Sequence, residues 1–124
     1  MAPPVLLTIS VPVTAACMEA ALEGLTALNA AIIAGHGLPD VYEAGVRYRR
    51  ERPGRERWLN AAETFALGYG DCEDLATWRA AWLRVHHAEP ARAIPIPGGP
   101  GTIHIVVQRA DGSIEDPSAD LGME

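Results

Sequence analysis

Hydrophobic spacing divides the chain into a helical first two thirds and a strand-like last third. From Ala15 to Ala34 alanine and leucine dominate, and Met18, Leu22, Leu25 and Ile32 recur near helical spacing, so an amphipathic helix is expected there. Thr14 is its N-cap, and Gly35 and Gly37 are its stop. A short helix is expected from Pro39 to about Gly45, and the apolar–basic alternation Val46-Arg47-Tyr48-Arg49 reads as a short half-buried strand. After a Pro53-Gly54 turn, Trp58 to Leu67 reads as a helix stopped by Gly68 and Gly70. Asp71 then opens a further helix that runs to about His87, with Pro90 just past its end. Arg92 to Pro97 is extended. Pro97-Gly98-Gly99-Pro100-Gly101 reads as a loop, and Thr102 to Arg109 as the best strand of the chain. Asp111-Gly112 is a turn, and Ser113 to Asp116 is the returning strand. Helices first and a small antiparallel sheet afterwards predict an α+β domain.

With 124 residues, 48 % of them apolar, the chain is one domain (1–124) able to bury a core without metal or disulfide support. Residues 1–14, interrupted by Pro3, Pro4 and Pro12, read as an extended N-terminal arm or edge strand. No stretch approaches the ~20 apolar residues a membrane span needs, and the N-terminus lacks the pattern of a signal peptide. A cytoplasmic protein is therefore expected. Sixteen acids against ten bases, all arginine, leave a net charge of −6, which disfavours general nucleic-acid binding. Six of those arginines fall between Arg47 and Arg57. They read as a solvated surface salt-bridged to Glu51 and Glu56, or more sharply as a site for an anionic substrate or partner.

Two cysteines make no disulfide framework in a chain of this size. Cys17, in the first turn of the first helix among alanines, reads as a small buried hydrophobe. Cys72 has different surroundings. Gly68 and Gly70 give an open approach to a helix, Asp71 is a good N-cap able to accept from the Asp74 amide, and Cys72 takes the first helical position. The positive end of the helix favours thiolate there, and free first-turn amides can hold a developing oxyanion. Glu73 and Asp74 act against this, because negative charge beside the sulfur raises its pKa. A cationic partner has to outweigh them, and histidine is the obvious supplier.

His36 lies between two glycines and reads as solvated. His86 and His87 close the Cys72 helix about four turns, roughly 20 Å, from the sulfur, so neither can pair with it. His104 sits inside an apolar strand between Ile103 and Ile105, either as a packed, hydrogen-bonded residue or as a catalytic base. The acid that would orient it is Asp116. If Ala110-Asp111-Gly112 form a three-residue loop, Val106 faces Asp116, and His104 and Asp116 become diagonal neighbours on one face. If Asp111-Gly112 alone form the loop, Asp116 points to the opposite side, while Ile114 joins Ile105 and Val107. Local rules leave both registers open.

Gly70-Asp71-Cys72-Glu73-Asp74-Leu75-Ala76, His104-Ile105-Val106-Val107 and Asp116-Pro117, with Trp58, Glu63 and Thr64 upstream, resemble the transglutaminase-like cysteine hydrolase superfamily. The likeness is to its small bacterial and phage members and to the bacterial transglutaminase-like cysteine proteinases, and it covers roughly residues 46–118. It implies a papain-like core in which the Cys-bearing helix packs on an antiparallel sheet. Cys72 would be the nucleophile, His104 the base and then the acid, and Asp116 the residue that orients His104. It also favours the three-residue loop, and it implies a further oxyanion donor upstream, for which Trp58 and Asn60 are candidates.

The leading expectation is a thiol-dependent acyl-transfer enzyme, a cysteine peptidase or amidase acting on a peptide or protein substrate without a cofactor. The Cys72 amide would help hold the oxyanion, and the 97–101 loop would border the cleft. The alternative is a catalytically silent binding or assembly module on the same scaffold, for instance in a phage particle. A metal site of Cys72, Asp74 and a histidine is not expected, since no ligand pair shows zinc-like spacing.

Overall fold

The computed structural model describes residues 14–51 and 57–123, so the N-terminal arm and the Pro53-Gly54 turn lie outside the described residues. In chain order the elements are α1 (Ala15–His36), a 3-10 turn (Val41–Glu43), β1 (Arg47–Tyr48), α2 (Ala61–Leu67), β2 (Tyr69–Gly70) and α3 (Cys72–His87). They continue with β3 (Arg92–Gly99), β4 (Thr102–Gln108), β5 (Ile114–Glu115) and α4 (Pro117–Asp120). β1 and β2 form a two-stranded parallel pair, while β3, β4 and β5 form an antiparallel sheet in that order. The protein is α+β.

α3 is the axis of the molecule. Every residue from Asp71 to Trp78 is buried, as for a helix covered on all sides. Cys72, Ala76, Ala80 and Leu83 face one core with Leu22, Ala91, Ala93, Ile105 and Val107. Leu75, Trp78 and Ala81 face a second core with Ile33, Val41, Val46 and Ala61. Alanines at 76, 80, 91 and 93 let the helix and the β3–β4 hairpin approach closely. Trp78 is fixed at its polar tip, where Nε1 donates to the Pro39 carbonyl at 3.0 Å.

α1 begins where Thr14 predicts, its hydroxyl accepting from the Cys17 amide at 3.2 Å. It ends two residues past Ala34: Gly35 and His36 stay helical, and Gly37 takes the left-handed C-cap conformation (φ 66°). Its inward stripe is Met18, Leu22, Thr26, Asn29 and Ile33, so Leu25 and Ile32 are only half-buried. Cys17 lies one step off that stripe and is half-buried, not the buried hydrophobe expected. The expectation that no stretch approaches a membrane span is corrected here: by length and composition Ala16–His36 is long and apolar enough to cross a membrane. Here the helix sends polar groups inward. Buried Asn29 donates to Thr77 Oγ1 at 3.1 Å and accepts the Ala61 amide at 2.8 Å, tying α1, α2 and α3 together. Asn29→Ala strands the Ala61 amide and opens a gap, and is expected to cost about 2–4 kcal/mol, readable as a lower urea midpoint.

α2 is shorter than expected because Asn60 caps it: its Oδ1 accepts the Glu63 amide at 2.9 Å, and Glu63 returns a bond to the Asn60 amide at 3.1 Å. Trp58 and Leu59 are left as an irregular approach segment. The residue 39–45 segment tightens to a single 3-10 turn capped by Asp40.

The expected 97–101 loop is mostly strand. β3 runs on to Gly99 opposite Ile103 and Thr102, with a register irregularity between Pro97 and Gly99, leaving Pro100-Gly101 as the turn. Pro95 and Pro97 pair with Ile105 and Ile103. Proline has no amide to exchange, so these are non-hydrogen-bonded pairs whose backbone groups point away from the ladder. The prolines thus remove two donors from the exposed margin of β3, where a strand most needs protection.

The second hairpin takes the three-residue loop. Gln108 pairs with Ile114 and Val107 with Glu115, the Arg109 amide donates to the Ser113 carbonyl at 2.8 Å, and Gly112 is left-handed (φ 88°). Extrapolated by one step, this register sets Asp116 opposite Val106.

Candidate active site

Cys72 opens α3 at the floor of a cleft of about 1070 Å³. Its walls include Tyr48 of β1, Arg50 just beyond it, Trp58, and the β4 segment from Thr102 to Ile105. Pro97, Gly98 and Gly101 line it as well, so the hairpin tip borders the cleft. A smaller groove of about 320 Å³ between α1 and β3 contains neither cysteine nor histidine in its lining.

The approach to Cys72 is built by Asp74. This fully buried carboxylate accepts the Leu59 amide at 2.8 Å and the Asp71 amide at 3.0 Å, joining the Trp58 segment to the start of α3. Gly70 is needed for that junction, since a Cβ there would lie 2.9 Å from Thr64 Cγ2 and 3.0 Å from Asp74 Cβ. Asp71 in turn accepts the Cys72 amide at 2.7 Å and the Glu51 amide at 3.1 Å. The Cys72 amide, expected to face an oxyanion, is therefore engaged by the carboxylate beside it.

His104 and Asp116 meet. His104 Nε2 lies 2.9 Å from Asp116 Oδ2, with the imidazole largely buried. A carboxylate at Nε2 places the ring proton there and leaves Nδ1 as the basic nitrogen; Nδ1 has no hydrogen-bond partner among the described residues. Asp116 Oδ1 also caps α4 through the Ala119 amide at 3.3 Å. Cys72 and His104 line the same cleft, but no hydrogen bond joins them among the described residues. The thiol donates to Glu73 Oε2 at 3.4 Å, and the Ile105 amide, one residue past His104, points at the sulfur.

Burial, followed by the charge of Glu73, pushes the Cys72 thiol well above the usual range. Burial also pushes Glu73 up to about 8, with Asp74 and Asp71 adding to the shift, and Asp74 up to about 7 against its two amide bonds. Tyr48, beside Asp71 and Cys72, is pushed up to about 12, chiefly by burial. Proton counting gives the sign for Glu73. Folded Glu73 keeps its proton to about pH 8, whereas an ordinary glutamate releases it near 4.5. Between those values the folded state holds the extra proton, so this group's contribution to stability falls as pH rises, on the order of 1 kcal/mol per pH unit. Glu73→Gln is expected to remove that share of the slope in urea titrations between pH 5 and 8, leaving the share that Asp74 contributes below about pH 7. At pH 8.5 it is also expected to speed iodoacetamide alkylation of Cys72 about tenfold, the effect of a one-unit fall in thiol pKa.

Asp71, Cys72 and Glu73 bring three ligand-type atoms within 4.8 Å of one another. Each already has protein partners: two amides for Asp71, and the thiol–carboxyl contact for Cys72 and Glu73. Asp74 is turned away, toward its two amides.

Of the upstream oxyanion candidates, Trp58 lines the cleft while Asn60 is occupied as the α2 cap. The remaining histidines, His36, His86 and His87, are exposed, and His86 stacks on Trp82 at 3.7 Å. Within the arginine cluster, Arg47, Arg49 and Arg50 are exposed, Arg49 lies over the Tyr69 ring, and Arg57 pairs with Glu63 at 2.6 Å. Arg52 and Arg55 lie outside the described residues. Sequence reasoning missed Tyr48 and the double amide anchor at Asp74. The Asp-Cys-Glu-Asp run contained the signal for the second, since an acid at the third position of a helix caps back onto its N-cap.

Compared with protein-family models, with curated proteins and with solved structures, the chain has no match.

Proposed function

We propose that this protein is a thiol-dependent acyl-transfer enzyme with a transglutaminase-like, papain-like core, a peptidase or amidase acting on a peptide or protein through Cys72, His104 and Asp116. The observation that carries the reading is the 2.9 Å His104–Asp116 contact, made across a bulged hairpin whose register puts an acid behind the one histidine that shares a cleft with Cys72. In the proposed cycle Cys72 leaves Glu73, gives its proton to His104 Nδ1 and bonds to the substrate carbonyl carbon. The oxyanion is held by donors facing the cleft, among them the Ile105 amide, which acts on the sulfur. The intermediate collapses to a thioester as the imidazolium protonates the leaving amine, and water deprotonated by His104 then releases the acid and the thiol. Hydrolysis is favoured over transfer to an amine because the cleft is open to water.

One observation favours the other reading, a catalytically silent binding or assembly module on this scaffold: the thiol rests on Glu73 and its pKa is raised. The two separate on incubation with p-nitrophenyl acetate. An acetyl adduct on Cys72, seen by intact-mass and peptide mass spectrometry and cleared with time, supports the enzyme. A folded protein that forms no adduct supports the module.

A further inference from the structure

β4 has one covered and one uncovered margin. Toward β3 it is fully paired, the ladder hydrogen bonds falling on the even-numbered residues because Pro95 and Pro97 exclude the odd ones. Toward β5 only Val107 and Gln108 are paired, since the chain leaves the sheet at Asp116 to enter α4. The odd residues Ile103 and Ile105 therefore turn their backbone groups outward, beyond the end of β5. The Arg109 amide, which has the same parity, bonds across to Ser113, and the Ile105 amide points at the Cys72 sulfur. The amide and carbonyl of Ile103 have no partner among the described residues, its side chain is 57 % exposed, and residues 102–105 all line the cleft.

We propose that the uncovered β4 margin at Ile103 is the recognition element of the cleft, and that its occupant is an extended peptide backbone adding to the sheet as one more strand. The proposal rests on the reading of Cys72 as a nucleophile only for its purpose; the docking itself is independent of catalysis. A peptide is the ligand chemistry that offers a donor and an acceptor on the same residue at strand spacing, as Ile103 requires. Ile103 lies two residues from Ile105, roughly 7 Å along the strand, so a peptide whose reacting carbon meets Cys72 engages Ile103 through a residue about two positions away. Recognition then needs a chain of about three residues and reads backbone before side chains. The opposite margin of the hairpin cannot compete, because Pro95 and Pro97 have no amides to offer there.

The test uses alkylating peptides on the full chain, so that binding is read as the rate of Cys72 labelling by intact mass, whether or not the protein turns over. Peptidyl chloromethyl ketones of alanine extend the probe to one side of the sulfur, and bromoacetyl-alanine peptides extend it to the other. In one of the two series the labelling rate constant is expected to rise about tenfold from one residue to three, the gain of two added backbone hydrogen bonds. Ile103→Pro deletes the outward amide without touching a ladder bond, opposite a proline already present in β3. It is expected to cancel the rise while leaving iodoacetamide labelling within about twofold of the parent. Ile103→Ala keeps the amide and the rise. Should Ile103→Pro not fold, a three-residue probe N-methylated at the residue facing Ile103 makes the same test on the unaltered protein, and it is expected to label no faster than the one-residue probe. Equal rates at one and three residues in both series, or a rise that survives both the proline and the N-methyl group, overturn the proposal. A rise that Ile103 controls in a protein forming no acyl-enzyme leaves the docking intact and removes the catalytic reading; an acyl-enzyme without the rise does the reverse.

Discussion

His104→Ala is expected to slow acyl-enzyme formation on Cys72 by about 10³-fold, within the range a positioned acid–base supplies. Alkylation by iodoacetamide, which needs no proton delivered to a leaving group, should change far less. The contrast follows from the site. The thiol rests against Glu73, not against the imidazole, so in the proposed cycle His104 enters only when the sulfur rotates into the cleft to meet a carbonyl. Asp116→Asn keeps the α4 cap but weakens the contact at Nε2, and the double variant is expected to be scarcely slower than His104→Ala alone, because groups acting as one unit lose their effect together. Additive losses, or a single variant as fast as the parent, would mean that the 2.9 Å contact is a packing feature of the hairpin.

The largest loss of stability is expected at Asp74. Asp74→Ala strands two buried amides, those of Leu59 and Asp71, each costing about 1–3 kcal/mol, so about 4 kcal/mol in all. Set against a typical domain stability of about 5–15 kcal/mol, that is a large share of the whole. The urea midpoint is the measurement. A fall equivalent to less than about 1 kcal/mol would show the two amides finding other partners. Because Asp74 also joins the Trp58 segment to α3, the variant should loosen one wall of the cleft.

Local signals made the helices and the Cys72 cap legible: Thr14 and Asp71, read as N-caps, cap their helices, whereas the cap at Asn60 was passed over and α2 starts at Ala61 instead of Trp58. The core face of α1 was less so. Thr26 and Asn29 take inward positions that apolar spacing assigned to Leu25 and Ile32, because Asn29 has partners on two other helices. The hairpin register was undecided for a similar reason. Grouping apolar residues speaks for the two-residue loop, and the observed register leaves Ile114 52 % exposed. What outweighs that exposure lies far along the chain. Glu115 bonds Arg79 at 2.6 Å and Tyr42 at 2.7 Å, while Arg79 also holds Asp40 at 2.6 Å. No inspection of residues 102–116 alone could weigh those partners. The same register brings Asp116 to His104, so the legibility of the site depended on ion pairs outside it.

Pro95 and Pro97 have an effect that reaches past the single molecule. Fibrous stacking requires each copy to receive a neighbour on one flank and present the other to the next. A hairpin whose outer flank lacks two of its amides receives a visitor there poorly, so crowding of these molecules along this sheet favours pairs over a growing ribbon.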